Sequence, residues 1–175
     1  MKSIQVKLVC ELIKNSRKSD RDLAKIIGVS QPTVTRMRKN LEKEGIVSYT
    51  GSVDLKKLGF EMIAITFGNL KKGSASDISS RTKRGEDFLK KHPEIIFFTT
   101  GSGLSADRVA VSIHKNYSDY STLISDLRTD WTDIIVTTGS FLISLDNDNV
   151  LRQLSLRYIA DCLEKENWAG KPATR

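Results

Sequence analysis

Residues 30–43, SQPTVTRMRKNLEK, set hydrogen-bonding and cationic side chains against an apolar stripe at helical spacing. Val34, Met37 and Leu41 recur at about 100° per residue and share one face. The opposite face carries Thr35, Arg36, Lys39 and Lys43, with Ser30, Gln31 and Thr33 at the N-terminal end. Amide and hydroxyl groups donate and accept, so they can read the edges of bases. Guanidinium and ammonium groups pair with guanine or with phosphate. This is chemistry for binding a polyanion. The chemistry of catalysis is missing. His92 and His114 have no cysteine or carboxylate at ligand spacing, and Cys10 and Cys162 lie at opposite ends of the chain. No nucleophile elbow, phosphate-cradling loop, dinucleotide fingerprint or zinc pattern occurs. No catalytic residue, cofactor or metal is therefore expected.

The charge distribution points the same way. The chain of 175 residues carries a net charge of +7. Residues 1–60 hold 13 Lys/Arg against 6 Asp/Glu, and the remainder holds 15 of each, so the whole excess lies in the first third. A basic excess confined to one segment implies a polyanionic partner for that segment. Hydrophobic residues at 39% and charged residues at 28% describe an ordinary globular chain. No stretch reaches the ~18 uncharged apolar residues of a membrane span. Lys7, Glu11 and Lys14 break the N-terminal apolar residues at helical spacing, unlike a signal peptide. The cysteines read as small buried apolar residues of a reducing compartment, so a cytoplasmic location is expected.

The elements that would position the basic face are three helices. Ile4, Leu8, Val9, Leu12 and Ile13 stripe the first, through Asn15. Ser19 caps the second, Asp22 stands in capping-box position, and Leu23, Ile26 and Ile27 follow as its apolar face. Gly28 ends it, Ser30 caps the third with Pro32 in its first turn, and Gly45 terminates that helix after Glu44. A tight Gly-containing turn between the second and third helices is a helix-turn-helix pattern. Arg38 falls at the edge of the apolar face, suited either to an acidic neighbour or to DNA. Ile46–Val53 reads as two short β-prone runs around Gly51-Ser52, a hairpin wing from which Thr50 and Ser52 would donate to phosphates.

The string SDRDLAKIIGVSQPTVTRMRKNLEKEGIVSYTGSVDLKKLGF, Ser19 to Phe60, closely resembles the leucine-responsive/asparagine regulator (Lrp/AsnC) family of bacteria and archaea. The resemblance rests on the LAKIIGVS turn, the helix and exit ending LEKEGIV, and the DLKKLGF link. It implies a transcription regulator working on double-stranded DNA as a dimer or an assembly of dimers. Some proteins of similar two-domain architecture are sirohaem decarboxylases, which is the enzymatic alternative. They would have little use for Arg36, Lys39 and Lys43. A sensor or heteromeric partner that does not bind DNA is a third reading.

From Glu61 the residues read as strand, helix, strand, strand, helix, strand. The strands are Met62–Phe67, Ile95–Thr100, Val109–His114 and Ile134–Leu145. The first helix, capped at Ser76 or Asp77, runs to Lys91, and Tyr117–Trp131 is the second with Tyr120, Leu123, Ile124 and Leu127 inward. The order is ferredoxin-like, βαββαβ, and the resembled family places such a domain here. The fold class is α+β: a winged helix-turn-helix (1–54), a linker (55–60), a ferredoxin-like dimerisation and effector domain (61–147), an extra C-terminal helix (148–168) and a mobile tail (169–175). Ile63, Ile65 and Phe67 line one face of the first strand. The second is apolar on both faces, Ile95 and Phe97 against Ile96 and Phe98. Both sheet faces are then covered, one by the helices and the other by a partner subunit or the C-terminal helix. In the family the Gly-containing turn between the second and third strands lies at an inter-subunit effector site. The resemblance thus marks Gly101, Ser102, Gly103 and Asp107 as candidates for a small-molecule effector. By itself 101–108 reads as a flexible hairpin loop, longer than the family's and with its acidic residue late. The C-terminal helix would face inward with Leu151, Leu154, Tyr158, Ile159, Cys162 and Leu163, against its own domain or a partner. Minimal family members lack it.

Overall fold

A computed structural model describes residues 1–71, 73, 75–146, 152 and 155–165. The described chain forms two compact units. One holds residues 1–52 and, from the far end of the chain, the described residues after 151. The other holds the described residues from 53 to 146. Among the described residues no helix is long and apolar enough to cross a membrane, and no group of His, Cys, Asp or Glu is placed to hold a metal ion.

The first unit is built on α1 (Ser3–Lys14), α2 (Asp20–Ile27) and α3 (Gln31–Lys43). Ser19 caps α2 by accepting from the Asp22 amide, and its hydroxyl donates to the Asp22 carboxylate at 2.6 Å. Asp22 thus holds the Ser19 hydroxyl, where a capping box would have it hold the Ser19 amide. Gly28 ends α2 with φ +81°, a conformation that costs little only without a Cβ. Leu8, Leu23, Val34 and Leu41 are fully buried at the centre of the unit. Ile26 is exposed, and Ala24 takes its expected place in the core beside Leu23.

Helix α1 is buried on a second side too, which a single amphipathic stripe does not require. Val6 and Cys10 pack against Ala160 of α6 (Ile159–Lys165), which follows a short 3-10 turn at Leu156–Tyr158. Ala160 is fully buried, Leu163 reaches the core around Leu8, and Lys14 pairs with Glu164 at 2.5 Å. The C-terminal helix therefore packs on the first helix of the helical unit. Its inward residues are Ala160 and Leu163, because a small side chain lets the two backbones approach. Cys162 is exposed and Ile159 is 45% exposed, contrary to the expected phase. Leu151, Leu154 and the tail lie outside the described residues.

The second unit is the expected βαββαβ chain: β1 (Met62–Leu70), α4 (Ala75–Lys91), β2 (Ile95–Gly103), β3 (Ala106–His114), α5 (Tyr117–Asp130) and β4 (Ile135–Ser144). The sheet is antiparallel in the order β2-β3-β1-β4. Thr66, Gly68, Ala110 and Ser112 face α4 and α5. Phe88, Leu123, Trp131 and Ile134 form the core between the helices and the sheet, with the Trp131 ring edge-on to Phe88 at 6.3 Å. By alternation Ile63, Ile65, Phe67, Val109, Val111 and Phe141 lie on the other face. An irregularity between Ile95 and Phe97 explains the doubly apolar β2. It turns Ile95 and Phe98 together toward the helices and leaves Phe97 opposite Val111 on the open face.

Two expected loops differ in the structure. Residues 101–108 are not a flexible loop, because β2 and β3 continue pairing until Gly103 meets Ala106. The hairpin closes on Leu104 and Ser105, both with positive φ (51° and 53°) as in a type I′ turn. Such turns ordinarily use Asn or Gly, so the residue types carried no signal. The expected wing hairpin is absent, since residues 46–54 contain no strand. Gly51 is not among the residues with positive φ that a two-residue turn needs. The amides of Ile46 and Val47 are spent on the Leu41 carbonyl at the end of α3. A lone two-stranded ribbon is marginal in water in any case.

If α6 belongs to the helical unit's core, Leu163→Ala should destabilise that unit by about 1–3 kcal/mol. Chemical unfolding followed by amide exchange in α1 checks this. Unchanged protection of Val6 and Cys10 would show that α6 contributes nothing there.

Candidate nucleic-acid interface

Helix α3 is positioned by the burial of Val34 and Leu41 and the partial burial of Met37 against α1 and α2. Each fully buried Leu or Val stabilises by about 1.5–3 kcal/mol, enough to fix which face turns outward. Gln31, Arg36, Lys39 and Lys43 are exposed on that outward side. The salt bridges among the described residues of this unit engage Lys14, Lys18 and Arg38, and none involves Arg36, Lys39 or Lys43. These three cations are thus free to meet phosphate or base without first breaking an ion pair.

The expected polar residues fall into two groups. Ser30 is the N-cap of α3, accepting from the Thr33 amide, and its hydroxyl lies 2.8 Å from that of Thr33. Thr35 is half-buried and donates to Asp20 at 2.7 Å, so its proton is already committed inside the unit. Thr50 and Ser52 are exposed in the irregular segment after α3. One residue escaped the sequence reading. Asn40 is exposed one turn beyond Arg36 and beside Lys43, and its amide can pair with an adenine edge. Its helical spacing from Arg36 was the available signal.

The orientation of α3 is fixed by polar contacts as well. Arg38 pairs with Asp20 at 3.0 Å and donates to the Ser16 carbonyl at 2.9 Å and the Tyr49 hydroxyl at 2.7 Å. The Tyr49 ring lies 5.1 Å from the guanidinium, and its hydroxyl donates to Glu42 at 2.9 Å. Arg38 therefore has acidic and aromatic partners. It joins α3 to the first turn of α2, to the chain before α2, and to the segment after α3. The Thr35 hydroxyl, followed by Arg38, holds the Asp20 carboxyl below the usual carboxylate range. Burial pushes the Tyr49 phenol up.

The candidate effector residues are strand residues. Gly101, Ser102 and Gly103 end β2 and Asp107 lies near the start of β3. Gly103 has φ +151°, whereas Gly101 has ordinary backbone and open space where a Cβ would stand. Asp107 is half-buried, 3.5 Å from the Arg108 guanidinium. Away from these positions, His114 is buried with its Nε2 2.8 Å from the Ser112 hydroxyl, and burial lowers its pKa. His92 bonds Glu94 at 2.9 Å.

A helix-turn-helix with an unpaired cationic face, joined in one chain to an α+β sheet unit, defines a DNA-binding transcription regulator. The winged helix-turn-helix DNA-binding family matches residues 1–48. The chain is 27% identical over 124 residues to the transcriptional regulator Ptr1 of Methanocaldococcus jannaschii, covering 70% of this chain and 78% of that protein. Over 95 residues it is 39% identical to the transcriptional regulator LrpC of Bacillus subtilis, covering 54% of this chain and 61% of LrpC. The solved structure of LrpC matches with a TM-score of 0.66 at 26% identity, over 83% of this chain and 96% of LrpC. Over these stretches the chain is similar to Lrp-type transcription regulators, and these relatives are regulators, unlike the sirohaem decarboxylases of the enzymatic alternative. The fold is also shared with a transcriptional regulator of Neisseria meningitidis solved in complex with L-methionine, at a TM-score of 0.74 and 16% identity, over 89% and 96% of the two chains.

Asp20→Asn should destabilise the helical unit by about 1–3 kcal/mol, because Arg38 then loses a charged partner. A depressed native pKa contributes stability above the unfolded value of 3.8 that is lost as pH falls through the native value. The gap between parent and variant should therefore narrow as denaturant titrations move below pH 3.8. A gap independent of pH would remove Asp20's charge from the account.

Proposed function

We propose that this regulator reads a two-fold DNA site as a homodimer or an assembly of dimers in the cytoplasm. The observation that carries the reading is the outward face of α3, where Arg36, Lys39 and Lys43 stand exposed without carboxylate partners among the described residues. Lys39, Lys43, Thr50 and Ser52 supply phosphate contacts and most of the affinity. Ser30, Gln31, Thr33, Thr35, Arg36 and Asn40 set selectivity. Of these, Thr35 acts through Asp20 by holding α3 against α2.

Dimerisation is supported by the sheet. Its open face carries Ile65, Phe67, Val111 and Phe97, and Phe141 at 65% exposed. The C-terminal helix, the other candidate cover, is engaged on α1. Exposed aromatic residues contiguous with such a face are a partner surface, and a two-fold pair of sheets is its simplest closure. Two recognition helices would then meet successive major grooves, with half-sites about 34 Å apart or a multiple of that. A small-molecule effector at Gly101, Ser102, Gly103 and Asp107 is supported by the shared fold of the Neisseria meningitidis regulator with its bound L-methionine.

Fluorescence anisotropy on the DNA upstream of the chain's own gene and on a shuffled control, at two salt concentrations, tests the reading. Lys43→Ala should weaken binding to both DNAs and lower the salt slope by about 1. Arg36→Ala should cost about 1–3 kcal/mol on the cognate site and relax one base preference. Equal losses on both DNAs from both variants would defeat this division, and no binding at low salt would defeat the whole reading. Separately, Phe141→Lys should shift the protein toward monomer in analytical ultracentrifugation and weaken DNA binding. A dimer indifferent to that charge would place the interface elsewhere.

A further inference from the structure

The space between the sheet and its two helices lies outside the DNA interface proposed above. A cavity of about 520 Å³ lies there, between Thr66, Ala110 and Ser112 of the sheet and Phe88, Leu123 and Leu127 of the helices. Close-packed interiors hold few voids larger than a water molecule. This one falls instead in the range of about 300–1,000 Å³ typical of small-molecule sites. Its lining is largely apolar, which does not retain water well.

The polar groups of the lining define what it lacks. Trp131 lines the cavity and is 7% exposed, and its indole Nε1 is buried with no acceptor. A buried N–H without a partner is costly, and a ligand oxygen would satisfy it. Arg81 also lines the cavity, donating to the Lys71 carbonyl. It packs so tightly on Gly73 that a Cβ there would meet its guanidinium at 2.8 Å. No carboxylate among the described residues forms a salt bridge with Arg81. Arg108, by contrast, has Asp107 at 3.5 Å, whose Oδ1 makes no hydrogen bond. An apolar chamber with an orphan donor and an uncompensated cation calls for an apolar molecule bearing one anionic acceptor.

We propose that this cavity binds an apolar monocarboxylate of the fatty-acid or aryl-acid kind. Its hydrocarbon body lies between the sheet and the helices, and its carboxylate is the acceptor and counter-charge that Trp131 and Arg81 lack. The site is lined by one chain, and Gly101, Ser102 and Gly103 do not line it, although Asp107 does. Trp131 and Arg81, on which the proposal rests, have no part in the effector reading above.

The chain has two tryptophans, so Trp168→Phe leaves Trp131 as the reporter. Decanoate and decanol, titrated below their aggregation limits, are followed by Trp131 emission and by calorimetry. Decanoate should saturate one site per chain, shift the emission, and bind about tenfold tighter than decanol. Arg81→Gln should erase that preference and leave decanol affinity unchanged. Ala110→Phe, which fills the space, should abolish binding of both. The proposal is overturned by an unsaturable or absent emission change with decanoate, or by a preference that survives Arg81→Gln. Binding retained by a folded Ala110→Phe protein overturns it equally. If Ala110→Phe does not fold, Arg81→Gln decides alone.

Discussion

Everything the helical unit offers to DNA depends on one constraint, the burial of Val34 and Leu41. Both are wholly excluded from water, against Leu8 and Leu23 of the preceding helices. A helix turns about 100° per residue, so fixing two residues of one face fixes the direction of all the others. Arg36, Lys39, Asn40 and Lys43 point outward because of this packing and need no contact of their own to do so. The polar network around Arg38 refines that orientation. It ties α3 to the first turn of α2, where the carboxylate of Asp20 also suits the positive end of the helix dipole. Apolar burial supplies most of the energy, and the ion pair and hydrogen bonds supply direction.

The helical unit is larger than three helices. Its core is completed by α6, which arrives from the other end of the sequence to cover Val6 and Cys10. The chain leaves this unit after residue 52 and returns to it beyond residue 151, so the sheet unit is connected to it at both ends.

The sheet unit divides its two faces between two tasks. Small and polar residues, Ala64, Thr66, Gly68, Ala110 and Ser112, face the helices. Side chains of that size do not fill the space beneath α4 and α5, and this is the physical origin of the cavity. Large residues, Ile65, Phe67, Val111 and Phe141, occupy the opposite face, where the first three are half-buried and Phe141 is exposed. Small residues inside and large ones outside invert the usual arrangement of a monomeric domain. Within the sheet the mismatch is bridged by local contacts such as the hydrogen bond between Thr66 and Ser140 at 2.8 Å.

Elements whose signals are local were legible from residue order alone. Ser19, Gly28, Ser30 and Gly45 bound α2 and α3 as caps and stops do anywhere, because a cap is a contact between residues three or four apart. The basic face of α3, the βαββαβ order and the resemblance to Lrp/AsnC regulators follow from periods and strings of the same short range. What depended on distant residues was decided by tertiary structure. Arg38 found its acidic partner eighteen residues away in Asp20. The wing runs stayed unpaired, with the Ile46 and Val47 amides taken by the Leu41 carbonyl at the end of α3, and the Gly101–Arg108 loop became strand because β2 and β3 had partners to continue along. Cys162 and Ile159 turned outward once Ala160 offered the closer approach to α1. In each case the choice lay between contacts of similar local quality, and the energy that separated them came from surface buried by residues the local pattern does not contain.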